Sequence, residues 1–252
     1  MSNDLTDFHG QTVLVVGAAQ GLGLATARLI ASRGAQIIAM DIDIDGLQSL
    51  KVELQLSDNQ ISQIDMGSFD SVTERVSSAL KTFGRIDALV NTVGLVGPSN
   101  TKVEDISWES FEALLRVNLF GTIWLTQAVI PAMKAAKYGR IAHVSSIAGK
   151  EGNPGMAPYN VSKAGMIGFV KGIAKEVATD GIVINAFAPA VMRTGMNANT
   201  SQVTLDYMLS RIPMGRLGEP EEAAEMLAFM VSKACSFTTG AVFDASGGRA
   251  TY

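Results

Sequence analysis

The chain has one cysteine, Cys235, and two histidines, His9 and His143. One cysteine excludes an internal disulfide and reads as a small buried apolar residue. No His/Cys spacing resembles a metal-ligand set, so nothing points to a metal or to an oxidising compartment. Charged residues make up only 17% and the formal net charge is −4. Lys and Arg are dispersed, so there is no basic field to draw in nucleic acid. The stretch Met1 to Gly10 lacks a basic segment followed by an apolar one, and no run approaches the ~18 apolar residues of a membrane span. These absences lead to the expectation of a cytoplasmic chain with no nucleic-acid and no membrane partner. The seven prolines form no linker, and repeats and low-complexity tracts are missing. That predicts one domain over residues 1–252.

What is present is apolar residue (47%) and glycine (25 of 252). Apolar, β-branched runs at Thr12–Gly17, Gln36–Asp41, Ile61–Asp65, Ile86–Asn91, Gly139–Ser146, Ile182–Ala188 and Ala241–Asp244 read as strands. In the first four of these both faces are apolar, which suits buried parallel strands. Helical patterns alternate with the strands, at Gly21–Gly34, Ile44–Leu56, Ser68–Phe83, Ile106–Lys137, Ala157–Thr179 and Glu219–Ser232. The alternation predicts an α/β fold, a doubly wound parallel sheet of Rossmann type with helices on both faces. The loosest segment is Ala190–Met214, with Gly195, Asn197, Asn199 and Thr200 before Pro213. It follows a strand end, where open α/β sheets bind ligands, and reads as a substrate-covering loop that is helical in part.

The first strand runs into Gly17-Ala-Ala-Gln20-Gly21-Leu22-Gly23 at a helix start. Glycines there permit a tight turn and let backbone N–H groups approach a pyrophosphate. Asp41 ends the second strand, where an acid would accept from the ribose hydroxyls of NAD and repel the 2′-phosphate of NADP. Gln20 and Ile42 supply no compensating cation. The plain alternative is a tight strand–helix turn with a capping aspartate.

Tyr159 and Lys163 stand four apart at a helix start and project from one face. A phenol with a pKa of about 10 is a poor base at neutral pH, but a nearby ammonium and an oxidised nicotinamide favour its anion, so Tyr159 can exchange a proton with a substrate oxygen. Ser146 ends the preceding strand, placed to hydrogen-bond the same oxygen; Ser145 points the opposite way and is the weaker candidate. Asn118 interrupts an apolar helical face, as a functional amide or as a satisfied core one.

These residues, with Asn91-Thr-Val-Gly94 after the fourth strand, make the chain resemble the short-chain dehydrogenase/reductase family from about Leu5 to its end. The resemblance implies that Ser146 positions substrate, Tyr159 transfers the proton, Lys163 lowers its pKa and holds the ribose, and Asn118 anchors a water relay. It also implies that Asp65 and Met66 flank the adenine, that Asn91 lies by the adenosine ribose, and that Pro189, Met192 and Thr194 border the nicotinamide. The chain departs from the family at Val16, Thr92-Val93 and Ala190. A homotetramer is implied, built on the fourth and fifth crossover helices and the C-terminal strands, with Ile123, Trp124, Leu125, Ile167 and Phe169 as compatible apolar residues.

The expected reaction is therefore hydride transfer between NAD and a small-molecule secondary alcohol or ketone. Tyr207–Arg216 and Ser246–Tyr252 are similar to the same segments of members acting on 2-keto-3-deoxy sugar acids. Lys150 or Arg193 would pair with a substrate carboxylate, unless both are simply solvated. A 3-oxoacyl-thioester reductase is the alternative enzyme, which Asp41 argues against. A nucleotide-binding regulator without activity would have a damaged tetrad, and a sugar-nucleotide epimerase would need a further C-terminal domain.

Overall fold

A computed structural model of the chain describes residues 6–195 and 202–252. Asn197, Asn199 and Thr200 of the expected loop lie outside the described residues. The strands are β1 (Thr12–Val16), β2 (Gln36–Asp41), β3 (Ile61–Gln63), β4 (Ala88–Asn91), β5 (Gly139–Val144), β6 (Ile182–Pro189) and β7 (Val242–Ala245). The helices are α1 (Gly21–Ser32), α2 (Ile44–Leu54), α3 (Phe69–Phe83), α4 (Trp108–Leu115), α5 (Gly121–Ala136), α6 (Ala148–Glu151), α7 (Ala157–Val177), α8 (Gln202–Ser210) and α9 (Pro220–Val231). The strands pair in parallel in the order β3-β2-β1-β4-β5-β6-β7.

Strand alternation sorts the apolar residues into two layers. Val13, Val15, Ile37, Ala39, Val90 and Phe187 face α1, α2 and α9. Leu14, Val16, Ile38, Met40, Leu89 and Ile184 face α3, α5 and α7. Both faces of the sheet are thereby buried, as the unbroken apolar strands require. Three crossover helices start at a side-chain cap: Asp43 accepts from Gly46 N for α2, Ser68 from Ser71 N for α3, and Ser107 from Ser110 N for α4. Such caps satisfy N–H groups that have no partner inside the helix.

Three local features depart from the sequence expectation. β3 stops at Gln63, two residues short of Asp65, because the Asp65 carboxylate accepts from Gly67 N at 2.8 Å and turns the chain. The single helix expected over Ile106–Lys137 starts only after the Ser107 cap and is interrupted by a π turn at Arg116–Phe120, around Asn118. α6 was not anticipated. Trp108–Ala136 contains an 18-residue window with a mean hydropathy of 1.4, long and apolar enough to cross a bilayer by length and composition. The stretch is interrupted by Arg116 and Asn118, and its Leu125, Val129 and Met133 are fully buried in the second core layer.

Of the apolar residues compatible with subunit contact, which suit the core of a single chain equally well, Leu125 and Ile167 belong to that core. Ile123, Trp124 and Phe169 keep part of their surface exposed. All strands end at the same edge of the sheet, so Gly17, Asp41, Asn91, Ser146 and Pro189 collect there. Between β1 and β4 the strand order reverses, and a crevice opens at such a point in doubly wound sheets.

Candidate active site

The glycine turn after β1 has no room for side chains. A Cβ on Gly23 would lie 1.9 Å from the Gly17 carbonyl oxygen, and Gly17 itself has φ +86°. The departure at Thr92 turns out to be a clamp, since its hydroxyl lies 3.1 Å from both the Val16 and the Gly17 carbonyl oxygens and ties the turn to the end of β4. Unlike α2, α3 and α4, the helix α1 has no side-chain cap at Gln20 and no acid in its first turn. Its N–H groups and positive dipole end therefore suit a pyrophosphate. Asp41 is buried, with one oxygen accepting from Ala19 N at 2.9 Å and the other from Asp43 N at 3.0 Å. Each oxygen retains a lone pair for a ribose hydroxyl, and exposed Ile42 flanks the opening.

Gly17, Gln20, Gly21, Gly23 and Asp41 thus gather at one turn. Thr194 joins them, its methyl 3.5 Å from the position of a Cβ on Gly21. Other expected contacts are engaged within the protein. Leu22 and Met192 pack into the first core layer and Met66 into the second. Asn91 donates to Thr122 Oγ1 at 3.0 Å and accepts from Val93 N. Pro189 ends β6, and its carbonyl accepts from Ile147 N.

The second half of the site hangs on the first turns of α7. Lys163 is buried and donates from Nζ to the Val144 carbonyl at 2.8 Å. Burial lowers its pKa from 10.5 to about 8. The ammonium lies 5.8 Å from the centre of the Tyr159 ring. Tyr159 leaves part of its ring open to the cleft, but desolvation of the hydroxyl raises its pKa, opposed only by a hydrogen bond with the Ser146 hydroxyl. In the chain alone the Lys163 ammonium donates to Val144 O rather than to the phenol. Ser146 Oγ also accepts from Ala148 N, while Ser145 Oγ points away and donates to the Lys163 carbonyl at 2.9 Å.

Asn118 is fully buried, and its side chain is a clamp. Oδ1 accepts from Leu95 N at 2.8 Å, while Nδ2 donates to Leu95 O at 2.8 Å and to Ser162 Oγ at 3.1 Å. Ser162, three residues after Tyr159 and therefore on its helical face, donates in turn to the Tyr159 carbonyl. A Cβ on Gly94 would lie 2.9 Å from Lys163 Nζ and 3.8 Å from Asn118 Oδ1, so the glycine leaves space where these groups converge.

His143 escaped the sequence reading. Its Nε2 lies 3.0 Å from Thr126 Oγ1, which donates to Thr122 O, and Thr122 Oγ1 donates to Asn118 O at 2.8 Å. Burial and the nearby Lys163 charge lower the His143 pKa to about 3, so the ring is neutral. The signal available beforehand was a lone imidazole in an otherwise apolar strand segment. The two cations proposed for a substrate carboxylate have partners of their own: Lys150 is buried against Asp244 at 2.7 Å, and Arg193 pairs with Glu219 at 3.0 Å.

A hydroxyl and a phenol brought together, with an ammonium beside them, are the proton-handling groups that alcohol–ketone interconversion needs. Together with the glycine turn at the reversal of strand order, they define a nicotinamide-dependent oxidoreductase acting on CH–OH groups. A family model described as enoyl-(acyl carrier protein) reductase matches residues 17–250. A 2-dehydro-3-deoxy-L-rhamnonate dehydrogenase (NAD(+)) from Sphingomonas sp. is 37% identical, covering 97% of each chain. A 3-oxoacyl-[acyl-carrier-protein] reductase from Thermotoga maritima is 38% identical over 95% of this chain and 98% of the relative. The crystal structure of gox2181 superposes with a TM-score of 0.92 at 30% identity, covering 97% of both chains. The chain belongs to the short-chain dehydrogenase/reductase family.

Proposed function

We propose that the chain interconverts a secondary alcohol and a ketone on a 2-keto-3-deoxy sugar acid, or a related hydroxy compound, using NAD in preference to NADP. The convergence of Ser146, Tyr159 and Lys163, with Lys163 Nζ 5.8 Å from the Tyr159 ring centre, at the edge where Asp41 also lies, carries this reading. The nicotinamide, when bound, supplies the hydride acceptor or donor. Tyr159 passes the proton to or from the substrate oxygen, and Ser146 hydrogen-bonds that oxygen as charge develops on it. Lys163 holds the ribose, and its charge together with that of the oxidised nicotinamide, when bound, favours the phenol's anion. Any water relay at Asn118 falls to its main-chain carbonyl, because each polar atom of its side chain is already bonded. Asp41 accepts from the adenosine ribose, and its negative charge disfavours a 2′-phosphate.

The sugar-acid substrate is supported by the relative from Sphingomonas sp.. The Thermotoga maritima relative supports a second reading, reduction of a 3-oxoacyl thioester. NADH formation from NAD, compared with NADPH formation from NADP, across sugar acids, polyols, cyclic alcohols and hydroxyacyl thioesters separates the two. Turnover of a sugar acid with NAD supports the first reading, and turnover of a thioester with NADP replaces it by the second. Silence on the whole panel with proven NAD binding would instead indicate a nucleotide-binding regulator.

The segment Ala190–Met214 is proposed to border the substrate, and the cytoplasm is the proposed compartment. We further propose a homotetramer. Two separate exposed aromatic faces suit two different two-fold axes. One joins Phe69, Phe120 and Trp124, with Arg116 over the Trp124 ring at 5.6 Å. The other joins Phe229 and Phe243, ring centres 6.1 Å apart. Sedimentation analysis tests the assembly, and a monomer would refute it.

A further inference from the structure

Glu151 ends α6 and Asn153 lies in the turn between α6 and α7, next to the helical turn that carries Tyr159. Asn160 ties this turn down, donating to Asn153 O at 2.8 Å and accepting from Asn153 N at 3.0 Å. Two arginines from distant parts of the chain meet at Glu151. Arg249, from the C-terminal tail, is nearly buried and donates to Glu151 Oε2 at 2.9 Å and to Asn153 Oδ1 at 2.8 Å. Arg211, just past the end of α8, approaches the same oxygen only to 3.9 Å and otherwise donates to Tyr207 OH at 3.4 Å. Its side chain is 49% exposed.

Two guanidinium groups around one carboxylate leave a positive charge, and the geometry says which arginine carries it. Arg249 is bonded at short range on two sides, whereas Arg211 is not. The other cations nearby are neutralised at short range, Lys150 by Asp244, Arg193 by Glu219, and Arg216 by a two-point pairing with Glu222 at 2.6 and 2.8 Å. A guanidinium presents a planar fork of donors that matches a carboxylate at two points. If Arg211 turns to such a ligand, Glu151 keeps Arg249, so no buried charge is left unpaired.

We propose that Arg211 determines specificity for anionic substrates by binding their carboxylate, with Glu151 and Arg249 as positioning residues behind it. The proposal rests on the sugar-acid reading above and names the residue that reads the acid. It also explains why neither Lys150 nor Arg193 is available for that task.

The test measures oxidation of a 2-keto-3-deoxy sugar acid and of its methyl ester by the wild-type protein, Arg211→Gln and Arg211→Lys, with NAD affinity measured in parallel. In Arg211→Gln the KM for the acid should rise about ten- to a hundredfold, the loss expected for one charge-assisted pair. The KM for the ester and the affinity for NAD should not move, and Arg211→Lys should recover part of the loss as a point charge without the fork. Added salt should raise the KM for the acid in the wild type and not in Arg211→Gln. If the wild type prefers the acid and Arg211→Gln leaves its KM unchanged, the assignment to Arg211 falls while the substrate reading stands. Equal losses on acid and ester would likewise overturn it, as a merely structural effect. If the wild type turns over the ester as well as the acid, the assignment to Arg211 falls while the substrate reading stands; if it takes no sugar acid, both fall together.

Discussion

At the floor of the site, Asn118, Ser145, Ser146 and Lys163 are buried, and each bonds to a named backbone group. In the segment proposed as its outer wall, Arg193, Tyr207 and Arg211 are exposed, and their side-chain contacts are 3 Å or longer. Rotating a buried side chain breaks hydrogen bonds that nothing replaces, while an exposed one exchanges its partner for water at little cost. The floor is therefore suited to holding an invariant proton-transfer geometry. The wall is free to meet a ligand, or to change in sequence, without disturbing the chemistry below.

Substitutions at the floor and at the cofactor edge can break this contrast. The largest effect is expected for Tyr159→Phe, which should lower kcat by about 10²–10⁴, the usual contribution of a positioned acid/base. NAD affinity, read by quenching of protein fluorescence, should be retained. Near-wild-type turnover in that variant would remove Tyr159 from the reaction. Next comes Asn118→Ala, which leaves the Leu95 N–H and carbonyl without their partner. A loss of up to about 3 kcal/mol in denaturant unfolding is expected, with activity falling alongside. Unchanged stability would mean that the clamp is dispensable.

His143 provides a smaller effect that is tuned by pH. Its folded pKa of about 3 lies below the ordinary value of 6.5, so the unfolded chain takes up the proton first. Stability from this group is complete above about pH 6.5 and is lost as pH falls toward 3. The loss at pH 5 is about 2 kcal/mol. His143→Gln should flatten this acid limb relative to the wild type, and a limb of equal slope in the two proteins would rule the account out. The smallest expected change is in cofactor choice. Asp41→Ala should relax discrimination against NADP about tenfold, equivalent to roughly 1.4 kcal/mol. A ratio of kcat/KM values that does not move would assign the preference elsewhere.

Much of the floor was legible beforehand because its signals are local. Alternating apolar residues specify which layer each strand side chain enters, and a four-residue spacing puts Tyr159 and Lys163 on one helical face. The glycines of Gly17–Gly23 announce a turn so tight that a Cβ on Gly23 would come within 1.9 Å of a backbone oxygen. Asn118 was noticed as an anomaly in an apolar face, but its partners, Leu95 and Ser162, come from other elements. No pattern in its own helix names them. The π turn around Asn118 was missed for the same reason, since its clamp to Leu95 arises only once the chain has folded. His143 has no sequence motif of its own, although Ser146 follows three residues later, and its meaning depends on Thr126 and Thr122 from α5.

The sequence by itself determined the doubly wound sheet, the glycine turn and the spacing of the residues proposed for proton transfer. Each of these is encoded in short-range periodicity or spacing that the backbone converts directly into geometry. Only the tertiary structure decided which charges are free. It paired Lys150 with Asp244 and Arg193 with Glu219, and brought Arg211 and Arg249 to one carboxylate. The strength of an ion pair depends on separation and burial, and both are set by contacts between segments far apart in the chain.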